Sequence, residues 1–275
     1  MAVLTDIRKS DLAESSFLAG YPDFDRAREG REPGSLGAIR RRAIERFAEL
    51  GFPTVKQEEW RFTNVAPIAR RDFHRVGPGT GSAAREASPE VVRHWLFESA
   101  GAHLVFVDGR LAPEHSDLSG LPPGTVLSGL GDALLEHPDV VEAHLARHAS
   151  FEDHPFVALN TGYLEEGAFL LVPRNAVVEQ PIHVLYLSTG ETDAHGRPTV
   201  AFPRNLVVLD ENSQATLVET YAGPEGVEYF NCPVTEIVCG PASVLDHYKM
   251  QQESTSAFHM ATFQLRQERQ SSYAL

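Results

Sequence analysis

Residues 205–223 read NLVVLDENSQATLVETYAG, and residues 234–252 read VTEIVCGPASVLDHYKMQQ. Both segments are rich in β-branched and aromatic residues, with Pro, Gly and Asn between the apolar runs, which indicates strands joined by turns. The segments AFLLVPRNAVVEQPIHVLYLS (168–188) and AFHMATFQLRQERQSSYAL (257–275) have the same character. No convincing helix interrupts the chain after about Phe156, so this part is predicted to be β.

Weak internal repeats indicate how these strands are arranged. VPRNAVV at 172–178 resembles FPRNLVV at 202–208, and QATLVETY at 214–221 resembles PASVLDHY at 241–248. Arg174 and Arg204 are thirty residues apart, and Ala215 and Ala242 are twenty-seven apart. Repeats made only of strands predict stacked coils, as in a parallel β-helix. A jelly roll or cupin barrel is the alternative, but the Asn-Gly or Asp-Gly turns of its hairpins are absent after residue 156.

The first half of the chain is predicted to be mostly helical, with short strands. Helical spacing of Ile39, Ala43, Phe47 and Leu50 places Arg40 and its charged neighbours mostly on the opposite face. Gly51 and Pro53 are predicted to end this helix, and Ser88 is predicted to cap the next one. The segment AHLVFVDGR is predicted to be a strand that leads into an Asp108-Gly109 turn. Residues 121–125 are predicted to interrupt regular structure, and another helix is predicted to begin at His137. We divide the chain into a helical region, 1–154, and a partial β-helix core, 155–275.

Composition and charge exclude some classes of function. The chain has 275 residues, a net charge of −14 and an isoelectric point of about 5.3. Nucleic-acid-binding surfaces carry a basic patch, so this acidity argues against one. Cys232 and Cys239 do not make a disulfide framework, which favours a reducing compartment. The sequence shows neither a signal peptide nor an apolar run approaching the ~20 residues that cross a bilayer. We therefore expect a cytoplasmic protein that binds neither nucleic acid nor membrane.

Two groups of residues in the chain are candidate metal or cluster ligands. His144 and His148 lie four residues apart, which is the spacing of two ligands on one helix face, with His137 and His154 near in sequence. The alternative for this group is a solvated helix face. Cys239 lies in an apolar strand and is interpreted as a buried small hydrophobe, whereas Cys232, before a proline, is expected to be more exposed.

The strand segments contain further candidates. His183, His247 and His259 lie in three different segments, and they either come together in stacked coils or are isolated polar positions on outer faces. A β-helix carbohydrate-active enzyme would use two paired carboxylates, and the candidates for this pair are Glu219, Asp246 and Glu253. Stacking of the Ala215 and Ala242 repeats would place Glu219 over Asp246, about 4.8 Å apart.

Several catalytic motifs are missing from the sequence. It contains no H-x-H pair of the kind that cupin-like metal enzymes use, no G-x-x-x-x-G-K-[ST] phosphate loop and no G-x-S-x-G elbow. We therefore expect no catalytic or metal-binding residues, and the carbohydrate-active enzyme and the cupin-like enzyme stay as alternatives.

Three segments form an ordered set: GFPTVKQEEWRFTNVAPI (51–68), FVALNTGYLEEGAFLLVPRNAVVEQPIHVLYLS (156–188), and RNLVVLDENSQATLVETYAG followed by VTEIVCGPASVLDHYKMQQES (204–254). The first has the pattern P-x-x-K-x-E-x-W-K/R-Y/F-T. The second contains Leu159-Asn160, Glu166-Gly167 and VEQPIH, and the third ends in L-x-H-x-K-x-Q. This set resembles the SufB/SufD family of iron–sulfur cluster assembly proteins, and its details are more similar to the SufD branch.

The resemblance implies a helical N-terminal region, a right-handed parallel β-helix core and a short helical C-terminal domain. It also implies a non-enzymatic scaffold subunit in a complex with SufB and the ATPase SufC, which supports iron acquisition and formation of the nascent cluster on SufB. No cofactor is expected on this chain alone, because the iron–sulfur cluster would be handled together with SufB.

The sequence departs from the family pattern at Leu275, where it stops within a predicted strand. The family continues with further coils, a C-S-H-G-A-T-like motif and the helices that dock the ATPase. We therefore expect a truncated N-terminal portion that does not bind a SufC-type ATPase by itself. The strands from about 200 to 275 are expected to pair through their open edges with strands of a partner, or to be capped by the missing part.

The first of the three motifs is itself predicted to be a helical packing element. Its charged residues, 56–59, are interpreted as a solvated helix start, and Trp60 and Phe62 as apolar anchors. Thr63 is expected to cap a short helix over 64–69.

Overall fold

The computed structural model describes residues 16–30, 34–77 and 87–275, and it combines helices with mainly parallel β-sheets. The helices are α1 Ser16–Ala19, α2 Tyr21–Arg26, α3 Gly34–Leu50, α4 Ala66–Ala69, α5 Pro89–Trp95, α6 Leu130–Glu136, α7 Pro138–His144 and α8 Pro155–Gly162, with 3-10 turns at Glu58–Trp60 and Pro113–His115. The strands are β1 Ala102–Val107, β2 Arg110–Leu111, β3 Val126–Gly129, β4 Ala168–Val172, β5 Ile182–Leu187, β6 Val200–Ala201, β7 Arg204–Leu209, β8 Gln214–Ala222, β9 Phe230–Asn231, β10 Val234–Cys239, β11 Val244–Gln252, β12 Phe258–His259, β13 Thr262–Gln267 and β14 Ser272–Ala274.

The strands form three sheets that the chain visits in rotation. The six-stranded sheet has the order β14-β11-β8-β5-β1-β2, the five-stranded sheet β13-β10-β7-β4-β3 and the three-stranded sheet β12-β9-β6. From β4 onwards the chain passes from the five-stranded to the six-stranded to the three-stranded sheet, and then begins again. Each new strand pairs in parallel with the preceding strand of its sheet. This pairing agrees with the stacked strands predicted from the sequence and differs from an antiparallel jelly roll.

The length of the repeat varies from one turn of the chain to the next. In the five-stranded sheet, Phe169 lies beside Leu206, and Arg204 lies beside Val234, which are offsets of thirty-seven and thirty residues. The next offset, from Val234 to Thr262, is twenty-eight residues. The sequence similarity between 172–178 and 202–208 therefore does not mark stacked positions.

One corner of the stack recurs with the same backbone conformation. Asn175, Asn212, Ala242 and Gln270 all have positive φ angles, between 55° and 62°. Asn tolerates this left-handed conformation well, and Asn212 Nδ2 also donates a hydrogen bond of 2.9 Å to Asn175 Oδ1. The structural counterpart of Ala242 is thus the corner residue Asn212, not Ala215.

The core has an interior and three covered outer faces. Alternate side chains of the six-stranded and five-stranded sheets meet in the interior, among them Leu104, Val184 and Ile237. Helices cover the outer faces: α6 and α7 pack on the five-stranded sheet, α5 on the six-stranded sheet, and α1, α3 and α8 on the three-stranded sheet. Strands β4–β10 are therefore almost entirely buried, as expected for parallel strands covered on both faces.

Several local predictions in the first half are confirmed. The predicted 39–50 helix lies within α3, which ends at Leu50 and is followed by Gly51 with a φ of 68°. At the start of α5, Ser88 Oγ accepts a hydrogen bond of 3.3 Å from Val91 N. Asp108 and Gly109 form the turn of the antiparallel β1–β2 hairpin. Arg40 departs from the predicted charged face: it is 1% exposed, and its Nε donates a 2.5 Å hydrogen bond to the carbonyl oxygen of Leu164. The prediction that no helix interrupts the chain after about Phe156 is wrong at its start, where residues 155–162 form α8. All eight residues of α8 are buried, so the sequence lacks the polar face that usually indicates a helix.

The first sequence motif is only partly as predicted. Trp60 is an anchor, because its ring packs 5.4 Å from the ring of Phe156. Phe62 is not an anchor: its side chain is 93% exposed, since the 3-10 turn over 58–60 leaves it pointing to solvent. Asn64, rather than Thr63, supports the start of α4, with Oδ1 accepting a 3.1 Å hydrogen bond from Ala66 N. Within the described ranges, the helices are all too short or too polar to cross a membrane.

Gly167 gives a test of how tightly this stack is packed. A Cβ added there would overlap the carbonyl group of Arg204 in the adjacent strand, which is main chain and has no rotamer to move. We predict that Gly167→Ala lowers the free energy of unfolding by about 2–4 kcal/mol, measured by urea denaturation. Gly131→Ala in α6 is the control, because a Cβ there meets no atom within 4 Å and alanine favours helix. Equal stability of the two variants would contradict the packing described here.

Candidate functional site

The two carboxylates predicted to stack, Glu219 and Asp246, do not face each other. Strands β8 and β11 pair with Leu245 beside Ala215 and Lys249 beside Glu219, so the repeat here is thirty residues rather than twenty-seven. A shift of three residues moves a side chain to the other face of the sheet. Asp246 is exposed and Glu219 is buried, so the predicted carboxylate pair is wrong.

Glu219 instead belongs to a set of polar side chains in the interior, which we call the polar column. Its members come from β7, β8, β11 and β12 and from the loop after β11: Asn205, Glu219, Tyr221, His247, Lys249, Glu253 and His259. The column continues a ladder of stacked rings, in which Phe106, Tyr186 and Tyr221 lie side by side with centroids 4.8 and 4.9 Å apart. That spacing is the spacing of hydrogen-bonded strands.

Glu219 lies at the centre of this column. Its Oε2 is 3.0 Å from His247 Nε2, while its Oε1 accepts hydrogen bonds from Asn205 Nδ2 at 3.0 Å and from the Tyr221 hydroxyl. Burial by itself would raise the pKa of Glu219, but these hydrogen bonds and the charges of His247 and Lys249 lower its pKa below the ordinary value of 4.5. The carboxylate is thus held ionised inside the protein.

A second chain of contacts runs from Lys249 to Glu253. Lys249 Nζ lies 3.0 Å from His259 Nε2, and His259 Nδ1 lies 2.8 Å from Glu253 Oε2. A lysine has only donors, so His259 accepts at Nε2 and keeps its proton on Nδ1, facing the carboxylate. Burial lowers the pKa of Lys249, although the carboxylates of Glu219 and Glu253 oppose this. The arrangement can hold or move a proton between an amine, an imidazole and a carboxylate.

A separate buried ion pair joins the strands to the helices. Arg204 Nη2 and Glu236 Oε2 are 2.8 Å apart, with both side chains fully buried. Arg204 Nη1 donates to Asn160 Oδ1 and Thr161 Oγ1 of α8, each at 3.1 Å. Glu236 accepts three backbone N–H hydrogen bonds from residues 146, 148 and 149, at 2.7, 2.7 and 2.9 Å. Burial by itself would raise the pKa of Glu236. Arg204 and these N–H groups lower the pKa by more than burial raises it, so the net pKa lies below the ordinary value of 4.5.

The histidines of the strand segments separate into two groups. His247 and His259 both belong to the polar column, where Glu219 and Tyr221 connect them. His183 points to the opposite face of the six-stranded sheet, where its Nε2 lies 2.9 Å from Thr220 Oγ1. Burial lowers the pKa of His183 to about 4. The three histidines therefore do not form one site.

The histidines near α7 are also divided. His144 Nδ1 and His148 Nε2 are 3.2 Å apart and both rings are half-buried, so a simple solvated helix face is the wrong interpretation. His137 instead stacks on Phe169, and the ring of His154 packs 6.2 Å from Trp60. Among the described residues, no cluster of three or more His, Cys, Asp or Glu side chains has a geometry suited to a metal ion.

Both cysteines are free and buried, and burial raises the pKa of both thiols, that of Cys239 to about 11. The prediction that Cys232 is the more exposed of the two is wrong. Its side chain lies beneath α8, with Sγ 3.6 Å from the carbonyl oxygen of Phe156. Neither thiol is in the electropositive, accessible setting that favours a reactive thiolate.

Comparison with known families agrees with the order of the three sequence motifs. A family model described as the SufBD protein N-terminal region matches residues 13–184, and one described as the SUF system FeS cluster assembly SufBD core domain matches residues 189–275. The chain belongs to the SufBD family. The two matches together span nearly the whole chain.

Individual SufBD relatives are distant but cover much of the chain. An iron–sulfur cluster assembly SufBD family protein of Synechocystis sp. is 28% identical over 254 residues, which is 90% of this chain and 54% of that protein. The iron–sulfur cluster assembly protein SufD of Bacillus subtilis is 28% identical over 70% of this chain and 42% of its own length. SufD of Escherichia coli is 23% identical over 79% of this chain and 47% of its own length. The chain thus spans about half the length of these curated relatives.

Sequence inspection quoted the SufBD motif L-x-H-x-K-x-Q but missed that His247 and Lys249 belong to the polar column and that Gln251 Nε2 donates a 3.2 Å hydrogen bond to Glu253 Oε2. Alternation along a strand places these three positions on one face, and that signal was available. The Arg204–Glu236 pair was also missed. Each residue is the lone charge in a mostly apolar strand, RNLVVL or VTEIVC, and two such charges are expected to pair when both strands are buried.

The polar column predicts a specific dependence of stability on pH. Because the folded-state pKa of Glu219 lies below 4.5, its ionised form stabilises the fold above that pH, and this contribution is lost as the pH falls through the lower, folded-state pKa. We expect Glu219→Gln to be less stable at pH 7 and to lose less further stability on acidification than the unmodified chain. Urea denaturation between pH 7 and pH 3 measures this, with the exposed Glu136→Gln as control. Parallel curves for the unmodified chain and Glu219→Gln would contradict the assignment.

The buried ion pair predicts a large loss of stability when one partner is neutralised. Glu236→Gln leaves the Arg204 guanidinium buried without its counter-charge, and we expect the free energy of unfolding to fall by about 3–5 kcal/mol. Glu142→Gln, an exposed carboxylate of α7, serves as the control and changes stability by less than about 0.5 kcal/mol. A loss below about 1 kcal/mol for Glu236→Gln would show that the pair does not anchor the fold.

Proposed function

We propose that this chain acts as a non-catalytic scaffold subunit in iron–sulfur cluster assembly, in a complex of the SufBCD type. The observation that carries the proposal is the pair of adjacent SufBD family matches, over residues 13–184 and 189–275. In this role the chain supports iron acquisition and the formation of a nascent cluster on a SufB-type subunit, and the cluster is cargo of the assembly. Because the chain spans about half of its relatives, its partners are part of the proposal.

The proposal includes the architecture. The ordered return of the chain to three parallel sheets supports a right-handed parallel β-helix, since parallel crossover connections are right-handed in about 98% of cases. We also retain the division into a helical region, 1–154, and a core, 155–275. The two free cysteines support a reducing compartment, and we propose the cytoplasm.

The non-catalytic role is supported by the enclosure of the polar column. Glu219 is 3% and His247 is 2% exposed, so the two central groups of the column have no open face for a substrate. A carbohydrate-active site needs two carboxylates on either side of one bond, and Glu219 and Asp246 lie on opposite faces of their sheet. The geometry therefore favours a structural use of the column.

One candidate surface for a partner is the unpaired side of β12, β13 and β14. Strands β12, β13 and β14 each end the order of their sheet and pair on one side only in the part of the chain that the structure describes. In β13, Thr262 N donates to Pro233 O, and Glu268 N donates to Cys239 O, so alternate N–H groups, including that of Gln267, point to the open side. Such an edge is a template for another strand, and we propose that it pairs either with a SufB-type strand or with a strand of the further length that the relatives have.

Substitution of one edge residue tests this pairing. Gln267→Pro removes an N–H group that points away from β10, so it leaves the ladder within the chain intact while denying a partner strand one donor. We expect co-purification with a co-expressed SufB-type subunit to weaken about threefold to tenfold, which corresponds to roughly one hydrogen bond. Gln267→Ala is the matched control and should bind as the unmodified chain does.

Two results would overturn the proposal. If the unmodified chain does not co-purify with a SufB-type subunit under any co-expression condition, the scaffold role fails. If it co-purifies and Gln267→Pro and Gln267→Ala retain the partner equally, the scaffold role stands but the β13 edge is not the contact.

A further inference from the structure

The two histidine rings near the end of α7 are brought together by a tight turn. His144 is the last residue of α7, and Leu145 leaves the helix with an extended backbone. Ala146 then takes a left-handed conformation, with a φ of 55°, and turns the chain back. As a result His148 returns beside His144, with its Nε2 3.2 Å from His144 Nδ1 and the rings nearly parallel at 28°.

The turn that carries these rings is fixed to the core. Glu236 of the buried strand β10 accepts hydrogen bonds from Ala146 N, His148 N and Ala149 N. The same carboxylate is held by Arg204, so it cannot swing away without leaving a buried charge unpaired. Side chains supported in this way are positioned before any ligand arrives, which lowers the entropy lost on binding.

The distance between the two nitrogens matches the geometry of a metal centre. Imidazole nitrogens bind first-row divalent ions at about 2.0–2.1 Å, so two such ligands are about 3.0 Å apart in cis-octahedral geometry and about 3.3 Å apart in tetrahedral geometry. The observed separation of 3.2 Å falls between these values. The two nitrogens now face each other along the line between the ring centres, which are 5.5 Å apart, as in a hydrogen bond. Each ring must therefore turn so that both lone pairs point at one ion before two metal–nitrogen bonds replace the hydrogen bond.

The protons of the pair also permit this exchange. One ring now donates its N–H to the other, and in the complex both facing nitrogens must offer lone pairs. The donating ring does this by moving its proton to its outer nitrogen through solvent, so no net proton is released at neutral pH. The neutral ring is the form that binds metals.

We propose that His144 and His148 form a two-histidine site for a divalent first-row transition-metal ion, with its remaining coordination positions filled by water or by a donor from another molecule. The site is half-buried, so an ion reaches it without unfolding the turn. Two neutral imidazoles favour ions such as Co²⁺, Ni²⁺, Cu²⁺ and Zn²⁺ over Mg²⁺ and Ca²⁺, which take oxygen ligands. The inference rests on this geometry alone and is independent of the scaffold role.

Titration of the full 275-residue chain with Co²⁺ tests the site, because bound Co²⁺ has visible ligand-field bands that report its ligands. We expect one ion per chain and competition by Zn²⁺ but not by Mg²⁺. His144→Ala and His148→Ala should each reduce affinity at least tenfold. His94→Ala, which removes an exposed histidine of α5, should leave it unchanged.

A measurement on the unmodified chain covers the case in which a variant misfolds. Co²⁺ should broaden or shift the imidazole NMR signals of His144 and His148 first, ahead of those of the ten other histidines of the twelve in the chain. The proposal is overturned if Co²⁺ binding persists at full affinity in the folded double variant His144→Ala/His148→Ala. It is equally overturned if other histidines respond at lower Co²⁺ concentrations than this pair.

Discussion

The buried ion pair between Arg204 and Glu236 is the contact on which the arrangement of helices and strands depends. Two charges buried away from water are stable only when each has enough hydrogen-bond partners. Here Arg204 is satisfied by α8 and Glu236 by the turn after α7, so a strand pair, a helix and a loop meet at one point. The same pair fixes the turn that holds His144 and His148 together. Loss of either charge would therefore disturb the helical cover as well as the sheets.

The interior of the stack follows from parallel strands in register. Equivalent side chains of successive strands lie one strand spacing apart, which puts Phe106, Tyr186 and Tyr221 in a ladder of stacked rings. The polar column continues this ladder where β11 and β12 contribute histidine and lysine, and β8 and the loop after β11 contribute glutamate. Its central groups satisfy one another, so the column adds specificity to the register instead of leaving unpaired buried charges. A shift of one residue would place Glu219 on the outer face and break these contacts.

The chemistry of this SufBD family member is divided between enclosed and accessible parts. The centre of the polar column, at Glu219 and His247, is buried, and its members contact one another, which makes a rigid arrangement. The histidine pair near α7 is only half-buried, so it is accessible from solvent. The proposed scaffold role would use both features, because rigid support must persist while partners and cargo are exchanged.

Much of this organisation could be predicted from local sequence patterns. The helix ending at Gly51, the Ser88 cap, the Asp108-Gly109 turn and the strands after residue 156 each depend on the preferences of a few neighbouring residues, and each is present in the structure. The failures are of another kind. The carboxylate pair Glu219–Asp246 failed because similarity suggested a repeat of twenty-seven residues where strand pairing has thirty. Phe62 and Cys232 were misjudged because exposure depends on what other parts of the chain cover.

The sequence by itself therefore determined the kinds of elements, their order and the SufBD family, since these follow from local propensity and from motifs in a fixed order. Only the tertiary structure decided which residues meet. The pairing of Arg204 with Glu236, the column around Glu219 and the contact of His144 with His148 all depend on strand register, turn conformation and burial. Those are set by the packing of segments thirty or more residues apart, or by the way the core holds a turn, and no short stretch of sequence specifies them.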